Sequence, residues 1–161
     1  MNSNKEKNKQ ETYEWERSKH FEDYSKTLGD YQALACLENA KGVSLLDLAC
    51  GDGTLTEIFD KHFDRVVGVD ASVTHLEEAK KRLPDCEFHE CLIEDFQTDE
   101  KFDSVFMLNI LEHVINPVEL LQKAASLLND DGILIVHVPN GEAINRKLAV
   151  SMGTLESCQE L

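Results

Sequence analysis

Five short apolar runs alternate with amphipathic stretches along this chain, and the first of them, VSLLDL over 43–48, stops abruptly at CGDG. Leu55, Ile58, Phe59 and Phe63 recur behind those glycines at helical spacing, which predicts a buried parallel strand, a tight turn and a helix. The same alternation continues. A strand is predicted over 65–70, then a helix carrying Val73, Leu76, Ala79 and Leu83, with Ser72 placed to cap it and Pro84 ending it. A short third strand over 87–91 follows. FDSVFML, 102–108, is continuously apolar, as a strand covered on both faces should be. Asn116-Pro117 opens a helix whose predicted face carries Val118, Leu121, Ala124, Ala125 and Leu128. Asp130-Asp131-Gly132 then turns into a fifth strand over 133–138, ended by Pro139-Asn140, and a short helical piece follows over 142–150. Strands alternating with helices point to an α/β fold around a parallel sheet.

Residues 1–12 hold almost no apolar side chains, which predicts a disordered N-terminus. Residues 13–40 read as two helices with Gly29 between them, one presenting Phe21, Tyr24 and Leu28, the other Tyr31, Leu34, Ala35 and Glu38. Trp15, Phe21 and Tyr24 are the side chains expected to dock this cap on the core. The domain proper is expected over 41–161.

Charge narrows the partners. Sixteen basic against 31 acidic residues give a formal net charge of −15, which disfavours nucleic-acid phosphates and anionic membrane surfaces. Five cysteines, at 36, 50, 86, 91 and 158, form no C-x-x-C pair, and reduced thiols in a cytoplasm suit them best. Cys86 and Cys91 flank one short strand without His or Cys partners at ligand spacing, so both read as buried structural thiols and no metal site is expected. No apolar run approaches the ~20 residues that cross a bilayer.

The glycine turn carries the chemistry. Gly51 and Gly53 allow positive φ and let a ligand approach the main chain at the start of a helix. A dinucleotide turn would place a third glycine where Thr56 stands, and Asp52 inside the turn would repel a pyrophosphate. Asp70, 17 positions after Gly53 at the end of the next strand, suits two hydrogen bonds from vicinal ribose hydroxyls. His113 falls beside Glu112 past the fourth strand and is a candidate general base, with a loop-ordering role as the alternative. His137, inside an apolar run, reads as buried and neutral.

The run DLACGDG resembles the first motif of class I S-adenosylmethionine-dependent methyltransferases, with Asp47, Ala49, Gly51 and Gly53 at the acidic and small-residue positions. Ala49 replaces the usual first glycine. The resemblance extends through VVGVDAS, LIEDF, FDSVFMLNILEHV and ILIVHVPN, covering 43–140. It implies a three-layer doubly wound sheet in the order 3-2-1-4-5, from which the family's last two strands are lacking. The implied cofactor is S-adenosylmethionine, with S-adenosylhomocysteine as product. Its implied contacts are the turn (Asp47, Ala49, Cys50, Gly51, Asp52 and Gly53), then Asp70, Ala71 and Ser72, then Leu92, Ile93 and Glu94 around the adenine, and Asn109 at the methionine end. Asp95 is an equal contender for the adenine edge. His20, Tyr24 and Tyr31 ahead of the first motif are further candidates.

LEHV, 111–114, matches relatives acting on quinones, sugars and other small molecules. The implied function is methyl transfer to an oxygen, nitrogen or carbon of a small molecule. A nucleoside-binding module without turnover and a nicotinamide-dependent oxidoreductase are the rivals. Nothing after Ala149 could supply the remaining strands, so truncation, a naturally short relative or completion by a partner is expected. The open edge of the fifth strand is where a second copy would pair.

Overall fold

The computed structural model describes the backbone of residues 19–153, 156 and 157, and the side chains from Lys26 on except those of 145, 146, 148 and 149. The expectations for 1–12 and Trp15 lie outside the described residues, and those for His20, Phe21 and Tyr24 rest on side chains outside them.

Five parallel strands form one sheet in the order β3-β2-β1-β4-β5. They are β1 (Ser44–Leu48), β2 (Arg65–Asp70), β3 (Glu87–Glu90), β4 (Phe102–Leu108) and β5 (Leu128–His137). The central strand pairs on both sides, Leu46 lying between Val67 and Val105. Helices are α1 (Lys19–Asn39), α2 (Thr56–Phe59), α3 (Val73–Arg82), α4 (Pro117–Ser126) and α5 (Ile144–Ser151), with 3-10 turns at Ile93–Asp95 and Leu111–His113.

Pleating sends alternate residues of each strand to opposite faces, and the two faces are covered separately. Leu46, Leu48, Val67, Val69, Val105 and Met107 pack under Leu120, Ala124 and Leu127 of the α4 segment. Leu45, Val66, Phe106 and Leu108 pack under α1 and α2 through Ala33, Cys36 and Phe59. The rings of Phe59 and Phe106 meet edge to face at 4.9 Å, and burying each contributes about 1.5–3 kcal/mol. Farther along that second face, Leu76 and Ala79 of α3 cover Cys50 and Phe88. The result is the three-layer arrangement the sequence implies.

Four local expectations are corrected. Among the described residues of the N-terminal segment, Lys19–Asn39 is one helix that runs through Gly29, where a break between two was expected. A β-carbon at Gly29 would lie 3.4 Å from Leu55 Cδ2, and this close packing offsets the ~1 kcal/mol that a mid-helix glycine costs. The helix docks through Ala33 and Cys36 rather than through the predicted face, while Tyr31 and Leu34 are exposed. On α4 the buried residues are Leu120, Ala124 and Leu127, and Val118 and Ala125 are exposed. Asp130-Asp131-Gly132 is a bulge within β5, since Leu128 pairs with Phe102 but Ile133 with Ser104. Asp103, opposite the bulge, organises it by accepting from Asn129 Nδ2 at 2.8 Å and from the Val43 and Ser44 N–H groups.

Candidate functional site

The turn after β1 is built from three left-handed residues, Ala49 at φ 65°, Gly51 at φ 57° and Gly53 at φ 76°. The N–H groups of Ala49 and Cys50 both donate to the Val69 carbonyl, hooking the turn onto β2. The glycines differ in purpose. A β-carbon on Gly51 would meet nothing within 4 Å, so its main chain borders open space that a ligand can fill. A β-carbon on Gly53 would sit 3.1 Å from Ala79 Cβ and 3.2 Å from its Cα, so Gly53 lets α3 approach the turn. Ala49, which stands where the resembled motif has glycine, is an L-residue in left-handed geometry, which costs ~1–2 kcal/mol. Ala49→Gly is therefore expected to raise stability by about 0.5–1 kcal/mol, after the extra unfolded-state entropy of glycine, as a higher urea midpoint at unchanged slope.

Asp70 ends β2 at the rim. Its Oδ2 accepts from the Gly51 N–H at 2.9 Å and its Oδ1 from the Ser72 N–H at 2.8 Å. The carboxylate thus ties the two turns together, and each oxygen keeps a lone pair for a ligand. The Ser72 hydroxyl is engaged elsewhere, accepting from the His75 N–H as the cap of α3.

Asp47 lies behind the turn, 3% exposed, its Oδ2 accepting from Thr56 Oγ1 at 2.7 Å. Thr56, at the position where a dinucleotide turn has glycine, is thus the partner of a buried carboxyl. Burial pushes the Asp47 carboxyl up to about 6 from 3.8, the Thr56 bond only partly offsetting it. The folded state therefore holds this proton more tightly than the unfolded one. Stability is fully present below about pH 4 and falls as pH rises through about 6, by on the order of 3 kcal/mol. Asp47→Asn, which still accepts from Thr56, is expected to remove that slope and stabilise the fold at pH 8, as read from urea titrations at pH 4.5 and 8.

Asp52 points away from the rim. Its Oδ1 accepts from the Thr54 N–H and its Oδ2 lies 3.8 Å from Arg82. Those partners hold its carboxyl below the usual range. Its charge is shared with Arg82 of α3, and the residues lining the cleft do not include it.

Outside the carboxyl ends of β1 to β4 lies a cleft of about 430 Å³, lined by Ala49, Asp70, Ala71, Leu92, Ile93, Glu94 and His113 among the predicted residues. Glu94 lines it and Asp95 does not. Sequence reasoning missed Cys91, Ile110, Val114, Ile115 and Asn116, which complete the wall. For Cys91 and Ile110, a position just past β3 and β4 was the available signal; Val114, Ile115 and Asn116 carried none. Cys91 is half-buried at the cleft rather than a purely structural thiol, whereas Cys86 donates to Asp60 at 3.0 Å. The glycine turn, Asp47, Cys50 and Ser72 support the rim from behind and beside it.

Asn109 is exposed and its side chain bonds His137, so the cleft wall does not include it. His137 is itself exposed at the end of edge strand β5, which corrects the expectation of a buried histidine. His113 Nε2 is 4.0 Å from Glu112 Oε1. Among the described residues no helix is long and apolar enough to cross a membrane and no cluster suits a metal ion.

Comparison with known proteins gives a consistent picture. Residues 46–134 match the family model described as a methyltransferase domain. The chain is similar to trans-aconitate 2-methyltransferase of Escherichia coli, 36% identical over 106 residues, 65% of this chain and 41% of that protein. It is also similar to ubiquinone biosynthesis O-methyltransferase of Rhodopseudomonas palustris, 32% identical over 113 residues, 68% of this chain and 44% of that one. Among solved structures, coclaurine N-methyltransferase bound to N-methylheliamine and SAH superposes with a TM-score of 0.62 at 26% identity, over 67% of this chain and 35% of that one. The chain spans about two fifths of the length of the curated relatives it matches. With the glycine turn, the acidic end of β2 and most of the parallel sheet falling inside the matched span, the chain belongs to the methyltransferase-domain family.

Proposed function

We propose that this chain binds S-adenosylmethionine and serves methyl transfer to an oxygen, nitrogen or carbon of a small molecule. The observation that carries the reading is Asp70, held by the Gly51 and Ser72 N–H groups at the rim of the 430 Å³ cleft with lone pairs to spare. Two ribose hydroxyls can donate to it there. Leu92 and Ile93 supply apolar surface for the adenine and Glu94 an acceptor for its amino edge. Gly51 borders the open space through which the rest of the cofactor passes. Asp47 and Thr56 brace the turn, and Asp47 reaches the cofactor's ammonium through water. His113, on the wall, is available to take a proton from an acceptor that has one to lose.

The cofactor supplies a methyl group on a sulfonium. The chain's part is orientation, which alone can lower a barrier by roughly 7–11 kcal/mol when the reacting atoms are held at attack distance. Acidic groups at the rim, Asp70 and Glu94, suit a cationic cofactor. The relatives' names speak of trans-aconitate, of ubiquinone biosynthesis and of coclaurine, so a small organic acceptor fits best. A cytoplasmic location, where this cofactor and reduced thiols coexist, accompanies the reading.

A nucleoside-binding module without turnover is the second reading. The residues that would hold a nucleoside, Asp70, Leu92, Ile93 and Glu94, line the cleft, and binding without turnover requires no more than these. Incubation with methyl-labelled S-adenosylmethionine and a panel of carboxylic acids, phenols and amines separates the two. Label in any acceptor supports the enzyme, and binding without label across the panel supports the module.

A further inference from the structure

Asn109 and His137 form a side-chain pair at the carboxyl ends of β4 and β5, beside the cleft wall. Asn109 Oδ1 and His137 Nδ1 are 2.9 Å apart, and the Asn109 N–H donates to the His137 carbonyl at 2.9 Å. Asn109 adopts φ 56°, a left-handed conformation that asparagine tolerates better than most residues and that concentrates at functional positions. An amide oxygen only accepts, so His137 Nδ1 carries the hydrogen, and in the neutral ring Nε2 then keeps its lone pair. His137 is exposed, and no hydrogen bond to its Nε2 is formed among the described residues.

Position gives this pair a use. Asp70, Leu92 and Glu94 place the nucleoside over β2 and β3, so the reactive end of the cofactor lies toward β4. Ile110, the residue after Asn109, lines the cleft. An acceptor then approaches from the β4–β5 side, where the pair stands.

We propose that Asn109 fixes His137 in the Nδ1–H tautomer so that Nε2 accepts the proton of a phenolic methyl acceptor. This rests on the methyl-transfer reading and names its substrate class. A phenol, with a pKa near ~10, is acidic enough to share its proton with a neutral imidazole, whereas a carboxylate has no proton to lose. The acceptor O–H bond breaks with its proton going to Nε2. The oxygen lone pair forms the new O–C bond as the C–S bond breaks, and that electron pair stays on sulfur, leaving a neutral thioether. The imidazolium then returns its proton to water. Asn109 is a positioning residue, acting through the ring. His113, 4.0 Å from Glu112, forms no comparable orienting bond among the described residues.

The test is long-range ¹H–¹⁵N correlation of the histidine rings in the full chain. His137 is expected to show a protonated Nδ1 and an unprotonated Nε2, Asn109→Ala to convert it to Nε2–H, and Asn109→Asp, which keeps an acceptor, to retain the wild-type pattern. In the chain loaded with S-adenosylhomocysteine, phenol is expected to shift the Nε2 resonance and anisole, which has no proton to give, to leave it in place. An Nε2–H tautomer in the wild type overturns the proposal, as does an Nε2 indifferent to phenol while S-adenosylhomocysteine binds. A phenol response without S-adenosylhomocysteine binding supports the proton-accepting pair and removes the methyl-transfer reading.

Discussion

Asp70→Ala lowers affinity for S-adenosylhomocysteine by about 10–150-fold. Removing the carboxylate deletes a charged acceptor for the ribose hydroxyls, and the range corresponds to the net loss of one hydrogen bond to a charged group, about 1.5–3 kcal/mol, water taking up the other hydroxyl. The loss also has a structural share, because the same oxygens hold the Gly51 N–H at 2.9 Å and the Ser72 N–H at 2.8 Å. Asp70→Asn separates the two shares. Its remaining carbonyl oxygen can keep one of the backbone bonds, so it is expected to recover stability more than affinity. Calorimetric titration of both variants, read beside their urea midpoints, checks this. Affinity unchanged in Asp70→Ala would place the ribose elsewhere.

Gly53→Val is the substitution with the largest expected effect on folding. The residue stands at φ 76°, where a β-branched side chain is under strain of ~1–2 kcal/mol. Its new β-carbon would also press on the main chain of α3, 3.2 Å from Ala79 Cα. Neither neighbour is the flexible end of a side chain, so relief requires α3 to move off Cys50 and Phe88. Overpacking of that kind adds ~1–3 kcal/mol. The sum, about 2–5 kcal/mol, is a large fraction of the ~5–15 kcal/mol that holds a domain folded, and a fall in the urea midpoint reads it directly. Gly51→Ala, where a β-carbon meets nothing within 4 Å, is the control. It carries the φ strain without the overpacking.

The strands were legible because burial on both faces leaves a continuous apolar run. FDSVFML and RVVGVD each became the strand their pattern announced, and Ser72 and Asn116 cap the helices assigned to them. Tertiary contacts decided what local pattern could not. Gly29 does not break α1 because Leu55 packs against it, and Asp130-Asp131-Gly132 is absorbed into β5 because Asp103 binds Asn129 across the bulge. The faces of α1 and α4 were misjudged for a related reason. Each holds small or apolar residues on more than one side, and only the sheet chooses between them.

The site divides in the same way. Asp70 and the 92–94 segment were readable because the ends of parallel strands hold ligands in open α/β sheets. Val114, Ile115 and Asn116 look like ordinary loop residues, and only the path of the chain after β4 brings them to the cleft. Asn109 and His137, 28 positions apart, have no sequence signal for their pairing. The register of β4 against β5, which sets Leu108 opposite His137, creates it.

The account turns on whether the cleft takes this cofactor. Isothermal titration of the chain with S-adenosylhomocysteine, and separately with NAD, tests that most directly. The account predicts a one-to-one isotherm with S-adenosylhomocysteine and none with NAD. Saturable binding of NAD, or no heat from S-adenosylhomocysteine in a chain shown by circular dichroism to be folded, would contradict it.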